Sequence, residues 1–194
     1  MEQHSLSKNL VALSVLTTVL AGAIHFVIIP EHWSHAPAHG LFFLLVGILQ
    51  IVWGVIVWRK PSLRLYYIGA IMAGWLIVLY VLTRWFPAPF GHGPEAIRAI
   101  DITCKACEAL GMVALTVLIF QGLTLNANSR IAWRTVMLIV LFSIVSGFVT
   151  YGAAGAAEPL LPALSARVEE HHHEGSTPQE ENPQEGTSSE EHTH

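Results

Sequence analysis

The chain has 194 residues, of which 53% are hydrophobic and 12% are charged. That charged share is about half the roughly 25% usual for a soluble globular domain. A net charge of -4 with basic residues scattered singly or in pairs argues against nucleic-acid binding, and two cysteines cannot staple a secreted disulfide domain. What remains is a polytopic membrane protein with a polar tail, since nine of the 14 acidic residues fall in 158–194.

Stretches free of Asp, Glu, Lys and Arg define the elements: Asn9–Pro30, Trp33–Trp58, 65–83, Ala109–Ser129 and Thr135–Ala157. Each approaches or exceeds the ~20 residues that cross a ~30 Å hydrocarbon core. The ten-residue alternation of a β-barrel is lacking. The sequence therefore predicts an all-α integral membrane bundle of five transmembrane helices, at about 9–29, 39–58, 65–83, 102–123 and 134–155, forming one domain over 1–157.

The first span follows Lys8 and carries Ala21-Gly22-Ala23, which resembles a signal-peptidase site. The apolar run continues to Ile29, longer than a signal core, so the expectation is a retained helix. His25 lies inside this run, and an ionisable residue at such depth is a functional candidate.

The loop after it reads Pro30-Glu31-His32-Trp-Ser-His35-Ala-Pro-Ala-His39-Gly40. If helical, it sets His32, His35 and His39 within about 60° of one another at ~100° per residue. Imidazoles with a carboxylate such as Glu31 suit Zn, Cu, Ni or Fe. Partly wet interfacial histidines are the plainer alternative.

Arg59, Lys60 and Arg64 then separate spans two and three, as Arg130 and Arg134 separate spans four and five. With Lys8 they predict a cytoplasmic N-terminus and a tail on the outer side of an inner membrane. Ten of the 11 histidines then lie on the outer side, His4 being the exception.

The second outer loop and fourth span hold His92, Glu95, Arg98, Asp101, Cys104, Lys105, Cys107 and Glu108. On a helix Asp101, Lys105 and Glu108 form one polar stripe, with Lys105 expected to partner both carboxylates. The stripe is either an ion-paired staple or a carboxylate site facing the first-loop histidines. Cys104-Lys-Ala-Cys107, read as opening a helix whose dipole favours thiolate, points to redox chemistry and resembles quinone-linked disulfide-forming membrane enzymes. Those enzymes also use a second cysteine pair, which this chain lacks.

Ser143, Gly147, Gly152 and Gly155 in span five suit close helix packing, within the chain or in a homo- or hetero-oligomer. The chain changes character at Glu158-Pro159, and beyond Leu164 it is mostly Glu, His, Gln, Ser, Thr, Gly and Pro, which predicts a disordered tail over 158–194. Its His171, His172, His173, His192 and His194 are weaker candidate metal ligands. A haem is disfavoured because no second histidine sits well inside an opposing span.

The residues His25, Pro30-Glu31-His32, Gly40, Phe42, Phe43 and Gln50, followed by Thr83-Arg84, Pro89-Phe90-Gly91, Glu95, Asp101 and Glu108, resemble a group of small bacterial polytopic membrane proteins over about 20–121. The resemblance implies a shared core of His25, Glu31, His32, Arg84, Glu95, Asp101 and Glu108, and it implies no substrate or reaction. Cys104, Cys107 and the tail stand outside that shared pattern.

The expected site is an outward-facing convergence of His25, Glu31, His32, Asp101 and Glu108, extended by His35, His39, His92 and Glu95. Its expected ligand is a divalent transition metal for transport, sensing or delivery. Thiol–disulfide exchange through Cys104 and Cys107 is the alternative, and a non-catalytic accessory subunit in the lipid bilayer is the third reading.

Overall fold

The structure is a computed structural model that describes residues 2–91, 93–126 and 129–165. Five helices follow in chain order: α1 (Glu2–His35), α2 (Pro37–Arg59), α3 (Leu63–Trp85), α4 (Ala99–Asn126) and α5 (Ser129–Ala157). All five are long and apolar enough to cross a membrane. This is the all-α membrane bundle that the apolar runs predict. His92 and the tail histidines lie outside the described residues, as does the tail's order beyond residue 165.

The helices outrun the predicted spans at both ends, because a helix continues past the apolar core until a cap or a proline stops it. Pro30 lies inside α1, which runs on to His35. The break comes at Ala36, extended at φ -143 and ψ 108, and Pro37 opens α2. The residue before a proline is driven from the α region by the ring, so Ala36-Pro37 ends one helix and begins the next. Beyond Ala157, residues Glu158–Leu160 and Pro162–Leu164 form two single-turn 3₁₀ helices, so regular structure passes the 157/158 boundary drawn from composition.

Packing is not simply sequential. α1 lies chiefly against α2 and α4, and α3 against α4 and α5, while the backbones of α2 and α3 stay apart and meet through large side chains such as Trp53, whose Nε1 donates to the Leu65 carbonyl at 3.1 Å. Small residues set the close approaches. A Cβ on Gly22 would stand 3.0 Å from Ile51 Cγ1 and 3.1 Å from the Gly47 carbonyl oxygen, so α1 and α2 cross nearly backbone to backbone. A Cβ on Gly111 would meet Thr17 Oγ1 at 2.8 Å, which fixes α4 on α1.

On α5, Ser143 and Gly147 are buried against α3, so these two serve packing inside the chain. Gly152 and Gly155 face open space. Phe142, Phe148 and Val149 are exposed, as are many apolar side chains around the bundle, which is the pattern of a surface solvated by lipid.

Candidate functional site

The glycine crossings position the deepest polar group. His25 lies one turn beyond Gly22, and Gln50 one turn beyond Gly47, so the two side chains meet where the helices are closest. Glu108 lies one turn before Gly111 on α4 and reaches the same point. His25, Gln50 and Glu108 are 2%, 1% and 2% exposed, so each needs a partner within the protein.

Hydrogen-bond capacity fixes the proton positions. Lys105 Nζ donates to Glu108 Oε2 at 2.5 Å, the short length of a charge-assisted bond. Gln50 Nε2 donates to Glu108 Oε1 at 3.0 Å. The Gln50 carbonyl oxygen is then turned toward His25, 3.0 Å from Nδ1, and can only accept, so Nδ1 carries the proton. In the neutral ring this leaves the lone pair on Nε2. That atom faces Cys104 Sγ at 3.5 Å and Glu108 Oε1 at 3.8 Å. Cys104 Sγ is in turn 3.9 Å from Glu108 Oε1. Phe43 stacks on the imidazole with centroids 5.4 Å apart and closes its other side.

A second network lies nearer the helix ends. Asp101 Oδ2 accepts from Arg84 Nη2 at 3.2 Å and from the backbone N–H and Nε of Arg98 at 3.3 Å each. Arg84 Nη1 donates to Glu95 at 2.5 Å, and Arg98 pairs with Glu31. His32 Nε2 is 3.5 Å from Arg98 Nη2. His39 bridges from α2, its Nε2 donating to the Pro89 carbonyl at 2.7 Å and its Nδ1 lying 3.2 Å from Glu95. Burial opposes the Arg98 charge, but the bonds to Asp101 and Glu31 outweigh it and lift its guanidinium above its ordinary value. Tyr80 lies beneath Arg84, 4.4 Å from ring centroid to guanidinium carbon. This network ties the ends of α1, α3 and α4 to the 86–98 loop, as a staple does.

Several expectations are thereby revised. The predicted convergence divides in two: His25 and Glu108 belong to the deep group, whereas Glu31, His32, His39, Glu95 and Asp101 belong to the outer one. Lys105 partners Glu108 alone, because Arg84 and Arg98 occupy Asp101. His32 and His39 do meet, with ring centroids 6.2 Å apart. His35 leaves the set: it is exposed and its Nδ1 donates to the Glu31 carbonyl at 2.8 Å, whereas His32 on the same helix reaches His39 across the break at Ala36.

The cysteines also move from their expected place. α4 starts at Ala99, so Cys104 is in its second turn, past the first turn where the dipole acts. Cys104 is buried beside His25, and Cys107 is only half-buried. Sequence reasoning gave Gln50 no chemical role; a lone glutamine within the apolar run of α2 was the available signal. For the Arg98–Asp101 pair the available signal was their i,i+3 spacing at the start of α4.

No family model, curated protein or solved structure matches this chain.

Proposed function

We propose that the protein binds one divalent transition-metal ion at His25, Cys104 and Glu108, for transport, sensing or delivery across the outer leaflet. The observation that carries this is the spacing of the three ligand atoms. A tetrahedral ion with bonds of about 2.0–2.3 Å needs ligand atoms about 3.3–3.5 Å apart. The separations here are 3.5, 3.8 and 3.9 Å, so the three atoms need draw together by only a few tenths of an ångström.

The chemistry of the set supports the same reading. Gln50 holds the Nδ1 proton and presents the Nε2 lone pair, the role of an outer-shell partner to a metal-bound histidine. The Cys104 thiolate and the Glu108 carboxylate both oppose the charge of a divalent ion, which leaves the Lys105 cation as the one surplus charge at the occupied site. One nitrogen, one sulfur and one oxygen suit Zn(II), and also Cu, Ni or Fe. Three protein ligands leave a fourth position for a water or an exchanging ligand.

The site end of the bundle is opposite the Arg59, Lys60, Arg64 and Arg130 loops, which supports an outward-facing site in a bacterial cytoplasmic membrane. In this reading the tail histidines serve to capture ions.

Co(II) titration of the full chain in detergent tests the assignment, because a thiolate–cobalt charge-transfer band reports Cys104 and ignores the histidine tail. One equivalent should develop the band, and Cys104→Ser should abolish it while Cys107→Ser leaves it. No band in the folded wild-type chain, or a band that persists in Cys104→Ser, would overturn the proposal.

A further inference from the structure

His39 joins the outer network through both of its ring nitrogens. Nε2 donates to the Pro89 carbonyl at 2.7 Å, and Nδ1 lies 3.2 Å from Glu95 Oε1. Neither oxygen can donate in return. One is a backbone carbonyl, and the other belongs to a carboxylate whose second oxygen accepts from Arg84. A neutral imidazole carries one ring proton and would set a lone pair against one of these oxygens. The arrangement fits an imidazolium, with both nitrogens protonated.

The surrounding charges agree with this. The charged and titratable groups around His39 are Glu95 and Arg98 on the 86–98 loop, Arg84 on α3, Asp101 on α4, and Glu31 and His32 on α1. His32 turns Nε2 toward Arg98, which can only donate, so that ring is neutral. Three carboxylates and two guanidinium groups leave one negative charge, which a protonated His39 cancels. In the deep group Lys105 and Glu108 cancel each other. Both groups are then neutral without an ion.

A divalent ion at His25, Cys104 and Glu108 alters that balance. It brings two positive charges and displaces one thiol proton, so the deep group gains one positive charge. An outer network with neutral His39 carries the one negative charge that matches it. The two groups are near enough to sense each other. Phe43 packs on both His25 and His32, with centroids 5.4 and 4.6 Å apart, and His32 is 6.2 Å from His39. Both groups also border one cavity of about 280 Å³, whose wall includes His39 and Glu95 as well as His25, Cys104 and Lys105. Charges so placed in a bundle are screened far less than charges in water.

We infer that the protein exchanges one divalent metal ion for two protons, the ion entering the deep group while Cys104 and His39 each release a proton to water. Two positive charges enter and two leave. The exchange rests on metal binding at the trio and adds His39 as its proton-binding partner. Having lost the Nδ1 proton, His39 turns a lone pair toward Glu95, and a contact holding α2 to the loop weakens. Where the medium has already removed the His39 proton, only the thiol proton remains to be released.

NMR of the full chain in detergent, isotope-labelled at the histidine nitrogens, reads these ring protons directly. At about pH 6, within the range where histidine charge changes, the His39 signals should show two protonated nitrogens. Their loss in His39→Gln identifies them. One equivalent of Zn(II) should convert them to a neutral ring, and the same addition to Cys104→Ser should leave them unchanged. Conversion in Cys104→Ser would mean that zinc binds His39 itself, which overturns the exchange. A neutral His39 in the ion-free chain overturns it as well. Calorimetry of Zn(II) binding in two buffers of different ionisation enthalpy gives a second measurement. Wild type should release close to one proton more per ion than His39→Gln, since the tail histidines are common to both; equal release overturns the exchange. The cobalt band separates this inference from the metal site. A band with an unchanged His39 imidazolium refutes the exchange alone, whereas no band refutes both.

Discussion

Replacing Gln50 by Met removes the side chain of α2 that hydrogen-bonds both His25 and Glu108 while keeping nearly the same length and volume. Two buried groups then lose a partner: the Nδ1 proton of His25 and Oε1 of Glu108. Figures from soluble proteins, about 1–3 kcal/mol per orphaned group, would give roughly 2–6 kcal/mol. Polar contacts between transmembrane helices average only about 0.6 kcal/mol and reach about 1.7, because the helices find other partners when separated in the bilayer.

The membrane value governs here, since all three residues lie on transmembrane helices, and two lost contacts amount to about 1–3 kcal/mol. At about 2–4 °C per kcal/mol for a chain of this size, Gln50→Met should melt roughly 2–12 °C below wild type in detergent. Glu108 keeps Lys105, so the stability loss stops there. The effect on metal is larger in proportion. Without its acceptor the His25 ring is free to turn and to change tautomer, and loss of an outer-shell partner lowers metal affinity about 10–100-fold. Co(II) titration and a melting curve on the same sample measure both effects. A Gln50→Met protein with wild-type melting and wild-type cobalt affinity would refute the hydrogen-bond chain from α2.

The outer network should respond asymmetrically. Asp101→Asn leaves the buried Arg84 with half its compensation and should cost about 3–5 kcal/mol, whereas Glu31→Gln removes a 55% exposed partner and should cost no more than about 1 kcal/mol; equal losses in thermal unfolding would contradict the staple. On α5, Gly147→Val would drive a side chain into Val78, whose Cγ1 stands 2.4 Å from the position of a Cβ, and should destabilise by about 1–3 kcal/mol. Gly152→Ala faces open space and should be neutral or gain up to about 1 kcal/mol of helix propensity, so a matching loss at both glycines would argue against the α3–α5 contact. His35→Ala should leave the cobalt band and its affinity unchanged, whereas His25→Ala should abolish tight binding. Metal binding through a thiol releases its proton, so cobalt affinity should climb about tenfold per pH unit while the thiol remains protonated; a flat pH profile would remove Cys104 from the ligand set.

The sequence by itself determined the class, the number of spans and the end of the bundle where polar chemistry gathers. Hydrophobicity is a local property that sums along a chain, so apolar runs near twenty residues are legible without any knowledge of partners. The stripe of Asp101, Lys105 and Glu108 was legible for a similar reason, since helical periodicity alone puts them on one face. Which cation each carboxylate takes was not. Lys105 lies within reach of both on a single helix, and only the approach of Arg84 from α3 and Arg98 from the 86–98 loop reserves Asp101 for them.

The first-loop histidines show the same limit. Continuous helical spacing would gather His32, His35 and His39, but one extended residue at Ala36 turns α2 away and leaves His35 on the outside. Gln50 acquired its role only from the crossing at Gly22 and Gly47, where two backbones approach closely enough for a side chain of α2 to reach both α1 and α4. Tertiary structure decided these partners because a polar side chain inside a bilayer is satisfied by whatever helix faces it, and that depends on crossing points and rotations that no single segment encodes.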